Sequence, residues 1–186
     1  MKNRCSWCGN DPLYVKYHDE EWGVPVYDDA KLFEFLILET FQAGLSWITV
    51  LKKRENFRVA FDNFDYKKIS KYNEVKFEEL LQNAGIIRNR LKIKATISNA
   101  NLFMKIQEEF GSFSKYIWDF TNGKPIKNKA ITLNEVPATT LLSDKISKDL
   151  KKRGFKFVGS TVIYAHMQAT GMVNDHVVDC FRYKEV

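Results

Sequence analysis

The chain has 186 residues, with 29 Lys+Arg against 23 Asp+Glu for a net charge of +6, and is 45% hydrophobic and 28% charged. That is enough for one compact core in the usual range of roughly 100–200 residues, and the composition excludes collagen-like, coiled-coil and disordered chains. The most apolar run, Leu32 to Phe41, is broken by Glu34 and Glu39 and is shorter than the roughly 20 residues that span a bilayer, so no membrane partner is expected.

The N-terminus carries Lys2, Arg4, Cys5 and Cys8 and lacks the apolar stretch of a secretory signal, so a cytoplasmic location is expected. Three cysteines are too few and too odd in number for a disulfide framework, which makes metal binding the better use for them. The positive charge suits a polyanionic partner.

In chain order, Asn10 to Gly23 reads as a loop. Asp28 or Asp29 can cap a helix that runs to about Gln42, with Gly44 where a C-terminal glycine belongs. Further helices are predicted over Leu45 to Asn56, Lys76 to Asn83, Ile86 to Glu109, Ser112 to Phe120, Ser143 to Arg153 and Ser160 to Thr170. Loops are expected over Gly123 to Pro137 and Arg153 to Gly159. Period-two alternation is scarce, so the expected fold class is all-α.

Three groups of residues carry chemistry. Cys5, Cys8 and His18 lie near one end, and His176 and Cys180 stand four apart near the other, a spacing that would put both on one face of a helix. A Cys/His pair from each end would complete a tetrahedral zinc site, which four protein ligands would make structural and not catalytic. Cys8 and His18 compete for the fourth place, and ordinary buried Cys and His residues are the plainer account. On the helix ending near Gln42, Glu39 follows Leu32, Phe35 and Leu36 by seven, four and three residues, on the apolar face, while Lys31, Glu34 and Gln42 mark the polar side. A carboxylate placed there is either paired with a buried Arg or Lys or functional. Trp7, Tyr14, Tyr17, Trp22 and Trp47 surround it in sequence, and aromatic faces with one acceptor suit a flat, electron-poor base.

The third group is the run from Leu150 to Thr161, a basic helix, a turn bracketed by Gly154 and Gly159, and a new helix with Ser160 or Thr161 near its cap. Unpaired N–H groups at that helix start, with Lys156 nearby, could hold a phosphate, although a plain helix connection has the same outline. Arg88 to Lys94 reads as a solvated basic face. His166 reads as a core or pocket-wall residue, and Asp175 and Asp179 flank the metal candidates, where they could orient an imidazole or face water.

Taken together, Asp11-Pro12-Leu13-Tyr14, Tyr17-His18-Asp19, Glu21 to Pro25, the run QAGLSWITVLKKRENFR from Gln42, Asn83 to Ala100, Leu150 to Val162 and Val173 to Cys180 resemble the bacterial 3-methyladenine DNA glycosylase I family. The resemblance covers nearly the whole chain. It implies a helix–hairpin–helix DNA glycosylase fold with two helical lobes, 1–55 plus 163–186 and 56–162, whose ends are joined by one structural zinc on Cys5, His18, His176 and Cys180. It implies a base pocket built on Glu39, Tyr17 and Trp47 as catalytic residues with Trp7 and Trp22 as walls. Gly44 and Leu45 would form a wedge in the duplex, and Gly154, Lys156, Gly159, Ser160 and Thr161 would hold its backbone. The expected partner is alkylated double-stranded DNA, the product free 3-methyladenine, and one chain suffices. Asn174 stands where the wider superfamily carries an essential Asp, and Ser160, Thr161 and Val162 occupy the region where a lyase would carry a lysine, so hydrolysis without a lyase step is expected. A silent DNA-binding module or a zinc hydrolase would be the competing functions, but the first leaves Glu39 without purpose and the second needs an open metal position.

Overall fold

The computed structural model describes residues 2–186. Among the described residues ten α-helices carry the chain: α1 (Pro12–Glu20), α2 (Asp29–Gln42), α3 (Trp47–Lys52), α4 (Arg54–Ala60), α5 (Tyr66–Ile69), α6 (Glu74–Gln82), α7 (Arg90–Phe110), α8 (Phe113–Asp119), α9 (Leu141–Lys152) and α10 (Ser160–Ala169). The all-α expectation needs one small amendment, a parallel bridge between β1 (Ile126–Lys127) and β2 (Val173–Asn174). No described helix is long and apolar enough to cross a membrane.

The expected loop at Asn10 to Gly23 is instead largely α1. Asp11 accepts from Leu13 N at 3.0 Å and Pro12 takes the first helical position, where its missing N–H costs nothing. The helix expected from Leu45 to Asn56 is two, α3 and α4, with the break at Lys53. The helix expected from Ile86 begins at Arg90, because the Asn89 side chain caps it on Lys92 N.

Helix α2 is the axis of the molecule. Leu32 to Phe41 are all buried, so it has no polar side, and α3, α7, α8 and α10 pack around it. Asp28 caps it, while Asp29 turns outward to accept from Phe113 N at 2.9 Å and Ser114 N at 2.7 Å, capping α8. Glu34 therefore does not mark a solvated face. Burial alone would push its carboxyl up, but Arg54, Lys31 and Arg58 outweigh it and hold the group below its ordinary value.

The end of α10 docks on the segment before α2 through Gly171, which has a φ of +67°. A Cβ there would lie 2.3 Å from Val24 C and 2.4 Å from Pro25 N, both backbone atoms that cannot rotate away. Gly171→Ala is expected to destabilise the fold by at least about 3 kcal/mol, read as a fall in melting temperature of about 6–12 °C. A variant melting within about 2 °C of the wild type would contradict this close approach.

Candidate base pocket and metal cluster

The start of the chain, α1, α2, α3 and α10 converge on a cavity of about 270 Å³ lined by Trp7, Tyr14, Tyr17, Trp22, Glu39, Gln42, Trp47, Leu133, Val136, Ala165 and Gln168. The five aromatic residues grouped in the sequence are thus brought to one place. Trp7 meets Tyr14 and Trp22 at centroid distances of 4.9 Å, and Tyr17 meets Trp47 at 5.4 Å.

Glu39 enters this cavity from α2. No Arg or Lys among the described residues pairs with it, its Oε2 is buried with no hydrogen-bond partner, and burial pushes its carboxyl up to about 8. The indole N–H groups of Trp7 and Trp47 are also buried without partners. Three unpaired polar atoms in an aromatic cavity are a demand for a ligand that can supply both donors and acceptors. Burial also pushes the Tyr17 phenol well above its ordinary value, so it stays a neutral hydroxyl.

The cavity continues into a groove lined by Glu39, Gln42, Ala43, Gly44, Leu45, Thr161, Val162 and Ala165, which joins it to the two expected DNA-contacting segments. Gly44 has a φ of +86° and Leu45 is 43% exposed, an apolar side chain held out in water at the tip of a tight turn. This turn is braced from beneath by Lys92, whose buried ammonium donates to Phe41 O at 3.1 Å and Ala43 O at 2.9 Å. The basic stretch Arg88 to Lys94 is therefore not a uniformly solvated face, since Lys92 closes the C-terminus of α2.

The connection between α9 and α10 is a built turn. Gly154 adopts a φ of +100°, whereas Gly159 has an ordinary φ of −62° and serves as the N-cap of α10. Asn99 grips Lys156 through both backbone groups at 2.9 and 3.0 Å, and Ser147 Oγ donates to Val158 O at 2.6 Å. Ile163 N is the first amide of α10 to find its helical partner, Gly159 O, which leaves the amides of Ser160, Thr161 and Val162 facing outward at the positive end of the helix. Ser160 Oγ is bonded to Ser143 Oγ at 2.8 Å. Arg153 is committed to Glu109 and Asp149 and is not free for a partner.

Cys5, His18, His176 and Cys180 form a buried cluster whose ligand atoms lie within 4.8 Å of one another. Cys5 Sγ stands 3.6 Å from His176 Nδ1, and Cys180 Sγ stands 3.5 Å from both His176 Nδ1 and His18 Nε2. A tetrahedral zinc, with bonds of about 2.3 Å to sulfur and about 2.05 Å to nitrogen, sets S···N edges of about 3.6 Å. The donor set fits. Cys8 is outside it, with its thiol turned to Cys5 O at 3.2 Å, so of the two candidates it is His18 that stands in the cluster. The imidazoles are oriented by Asp19, which accepts from His18 Nδ1 at 2.8 Å, and by Trp22 O, which accepts from His176 Nε2 at 3.0 Å. Arg4 holds Asp19 through a forked pair that lowers its carboxyl to about 2.

Neither Asp175 nor Asp179 takes that orienting role. Asp175 accepts from Tyr164, Gln168 and Asn128, and Asp179 from Asn3. Asn174 lies outside the cavity lining, donating to Tyr183 O and Val186 O. His166 is buried, donates to Leu32 O and is pushed down to about 4 by burial, in keeping with a core role. Sequence reasoning overlooks Asp19, Lys92, Asn99 and Gln168. For Gln168 a signal exists: it follows Thr161 and Ala165 by seven and three residues, on one face of α10.

The model of the methyladenine glycosylase family matches residues 7–183. The chain is similar to the DNA-3-methyladenine glycosylase 1 of Escherichia coli (strain K12), 54% identical over 97% of this chain and 96% of that protein. Among solved structures, one of a 3-methyladenine DNA glycosylase I is 53% identical with a TM-score of 0.94, covering 96% of this chain and 98% of the other. A variant of such an enzyme in complex with 3-methyladenine is 36% identical, with a TM-score of 0.93 over 96% of each chain.

Proposed function

The chain belongs to the methyladenine glycosylase family, and on that premise we propose that it is a DNA repair enzyme that excises 3-methyladenine from alkylated DNA. The observation that carries the reading is the unpaired, buried Glu39 Oε2 in a cavity walled by indole and phenol rings.

Methylation at N3 makes the adenine cationic and weakens its bond to the sugar before any protein acts. The duplex binds across the groove with its backbone on the α9–α10 turn, at Gly154, Lys156 and Gly159 and the free amides of Ser160 and Thr161. Leu45, presented by Gly44, fills the space of the extruded nucleotide. The cationic ring stacks on Trp47 between the walls of Trp7, Trp22 and Tyr17, and Glu39 accepts from its N6 amino group. The C1′–N9 bond breaks with its electron pair moving to N9, which neutralises the base. Water adds to C1′ and releases one proton to solvent, leaving an abasic site. No lysine lines the cavity among the described residues, which supports hydrolysis without a lyase step. Zinc on Cys5, His18, His176 and Cys180 would serve structure, joining the chain ends behind the aromatic wall formed by Trp7 and Trp22. In this scheme the lobe of 1–55 and 163–186 holds base and metal, 56–162 supplies α9, the turn and the first residues of α10, and a cytoplasmic monomer suffices.

Incubation with methylated duplex DNA tests the proposal. Free 3-methyladenine should appear, with strand breaks only after alkali. Breaks without alkali would overturn the hydrolytic step. Zinc-loaded, folded protein that releases no base would overturn the enzyme and leave a DNA-binding module.

A further inference from the structure

Glu39 alone is a poor judge of which purine occupies the cavity. With its carboxyl pushed up to about 8, it can present either a proton or a lone pair near neutral pH, and so can meet an amino or a carbonyl group at C6. A fixed acceptor would remove that ambiguity. Gln168 lines the same cavity, and its Nε2 donates to Asp175 Oδ2 at 2.8 Å. A carboxylate only accepts here, because both of its oxygens already take protons from donors, Tyr164 OH at 2.6 Å on Oδ2 and Asn128 Nδ2 at 2.6 Å on Oδ1. The Gln168 amide is therefore held in one of its two orientations, and its oxygen is left without a partner among the described residues.

Building on the glycosylase reading, we propose that Gln168 Oε1, locked as an acceptor by Asp175, is a specificity-determining contact that selects a 6-amino purine and rejects a 6-oxo purine. An exocyclic amine gives it a hydrogen bond, whereas an exocyclic oxygen places two lone-pair carriers against each other while Asp175 holds the amide from turning. Gln168 lines the cavity but not the groove that leads to Leu45 and Thr161, which places it on the side of the cavity away from the expected duplex contacts.

The test compares two free bases, 3-methyladenine and 3-methylhypoxanthine, which exchange the amino group at C6 for a carbonyl and its accompanying ring N–H, with binding read from quenching of the cavity tryptophans. Wild-type protein should favour the amino base by about a hundredfold. Gln168→Met, which keeps the length and leaves Asp175 its other two donors, should lower that ratio at least about tenfold. Asp175→Asn, which can donate to a rotated Gln168 amide, should lower it in the same direction. Loosened packing would weaken both bases together, so a ratio unchanged in Gln168→Met overturns the proposal even if affinity falls. Wild-type protein that excises nothing from methylated DNA would instead remove the reading beneath it, a separate result.

Discussion

Glu39→Gln is expected to give a protein that melts higher than the wild type at pH 8 and has lost excision by about a hundredfold or more. The two effects have one cause. Glu39 has an ordinary value of 4.5, and burial pushes it to about 8. Below 4.5 the carboxyl is protonated in both the folded and unfolded chain, and the substitution changes little. As pH rises from 4.5 to about 8, the unfolded chain gives up its proton while the folded chain keeps it, so folding stability drains away and the loss is complete above about 8. At about 1.4 kcal/mol per pH unit over that interval, the upper limit is about 5 kcal/mol. In a chain of this size that corresponds to about 10–20 °C in melting temperature. A neutral amide in the same place would carry no such penalty. A cationic base reverses the balance, because it favours the carboxylate and expels the proton on binding, so wild-type kcat/KM should rise with pH toward about 8 and the variant should lack that limb. Equal melting curves for the two proteins at pH 8, with excision retained, would remove Glu39 from both roles.

What the sequence shows of this site follows from where periodicity is informative. Glu39 is visible because it falls on the face defined by Leu32, Phe35 and Leu36. The same argument misassigns Glu34, since helical periodicity assumes one wet side and α2 is buried all round. The partners of Glu34, Arg54 and Arg58, lie on another helix, and no local pattern announces a pairing across twenty residues. The wall of Trp7, Tyr14, Tyr17, Trp22 and Trp47 is legible as a cluster, but a loop over Asn10–Gly23 hides the fact that α1 sets Tyr14 and Tyr17 one turn apart. Lys92 and Asn99 show the opposite limit. Their functions, closing α2 and gripping the α9–α10 turn, exist only once α7 is laid against distant backbone, and in sequence they are one basic and one polar residue among many.

Removing the metal is expected to cost the protein more than any single apolar substitution, although the ion would touch no reacting atom. Cys5 and His18 belong to the first twenty residues, His176 and Cys180 to the last eleven, so one ion closes nearly the whole chain into a loop. The cluster also backs the cavity. His176 donates to Trp22 O, His18 packs on Trp7 at 5.3 Å, and Trp7 follows Cys5 by two residues, so releasing the ligands frees the aromatic wall. Cys180→Ser should therefore bring metal content down from one zinc per chain and lower the melting temperature by well over about 10 °C. A strong chelator should do the same to the wild type, with loss of 3-methyladenine binding in step with loss of the fold. Cys8→Ser is the discriminating control, because its thiol turns to a backbone carbonyl and not to the cluster, and it should keep both the metal and the melting temperature. A Cys8→Ser protein without metal would reassign the fourth ligand. A Cys180→Ser protein with full metal content would refute the cluster, and one that loses zinc yet stays as stable as the wild type would show that the chain ends hold together by packing alone.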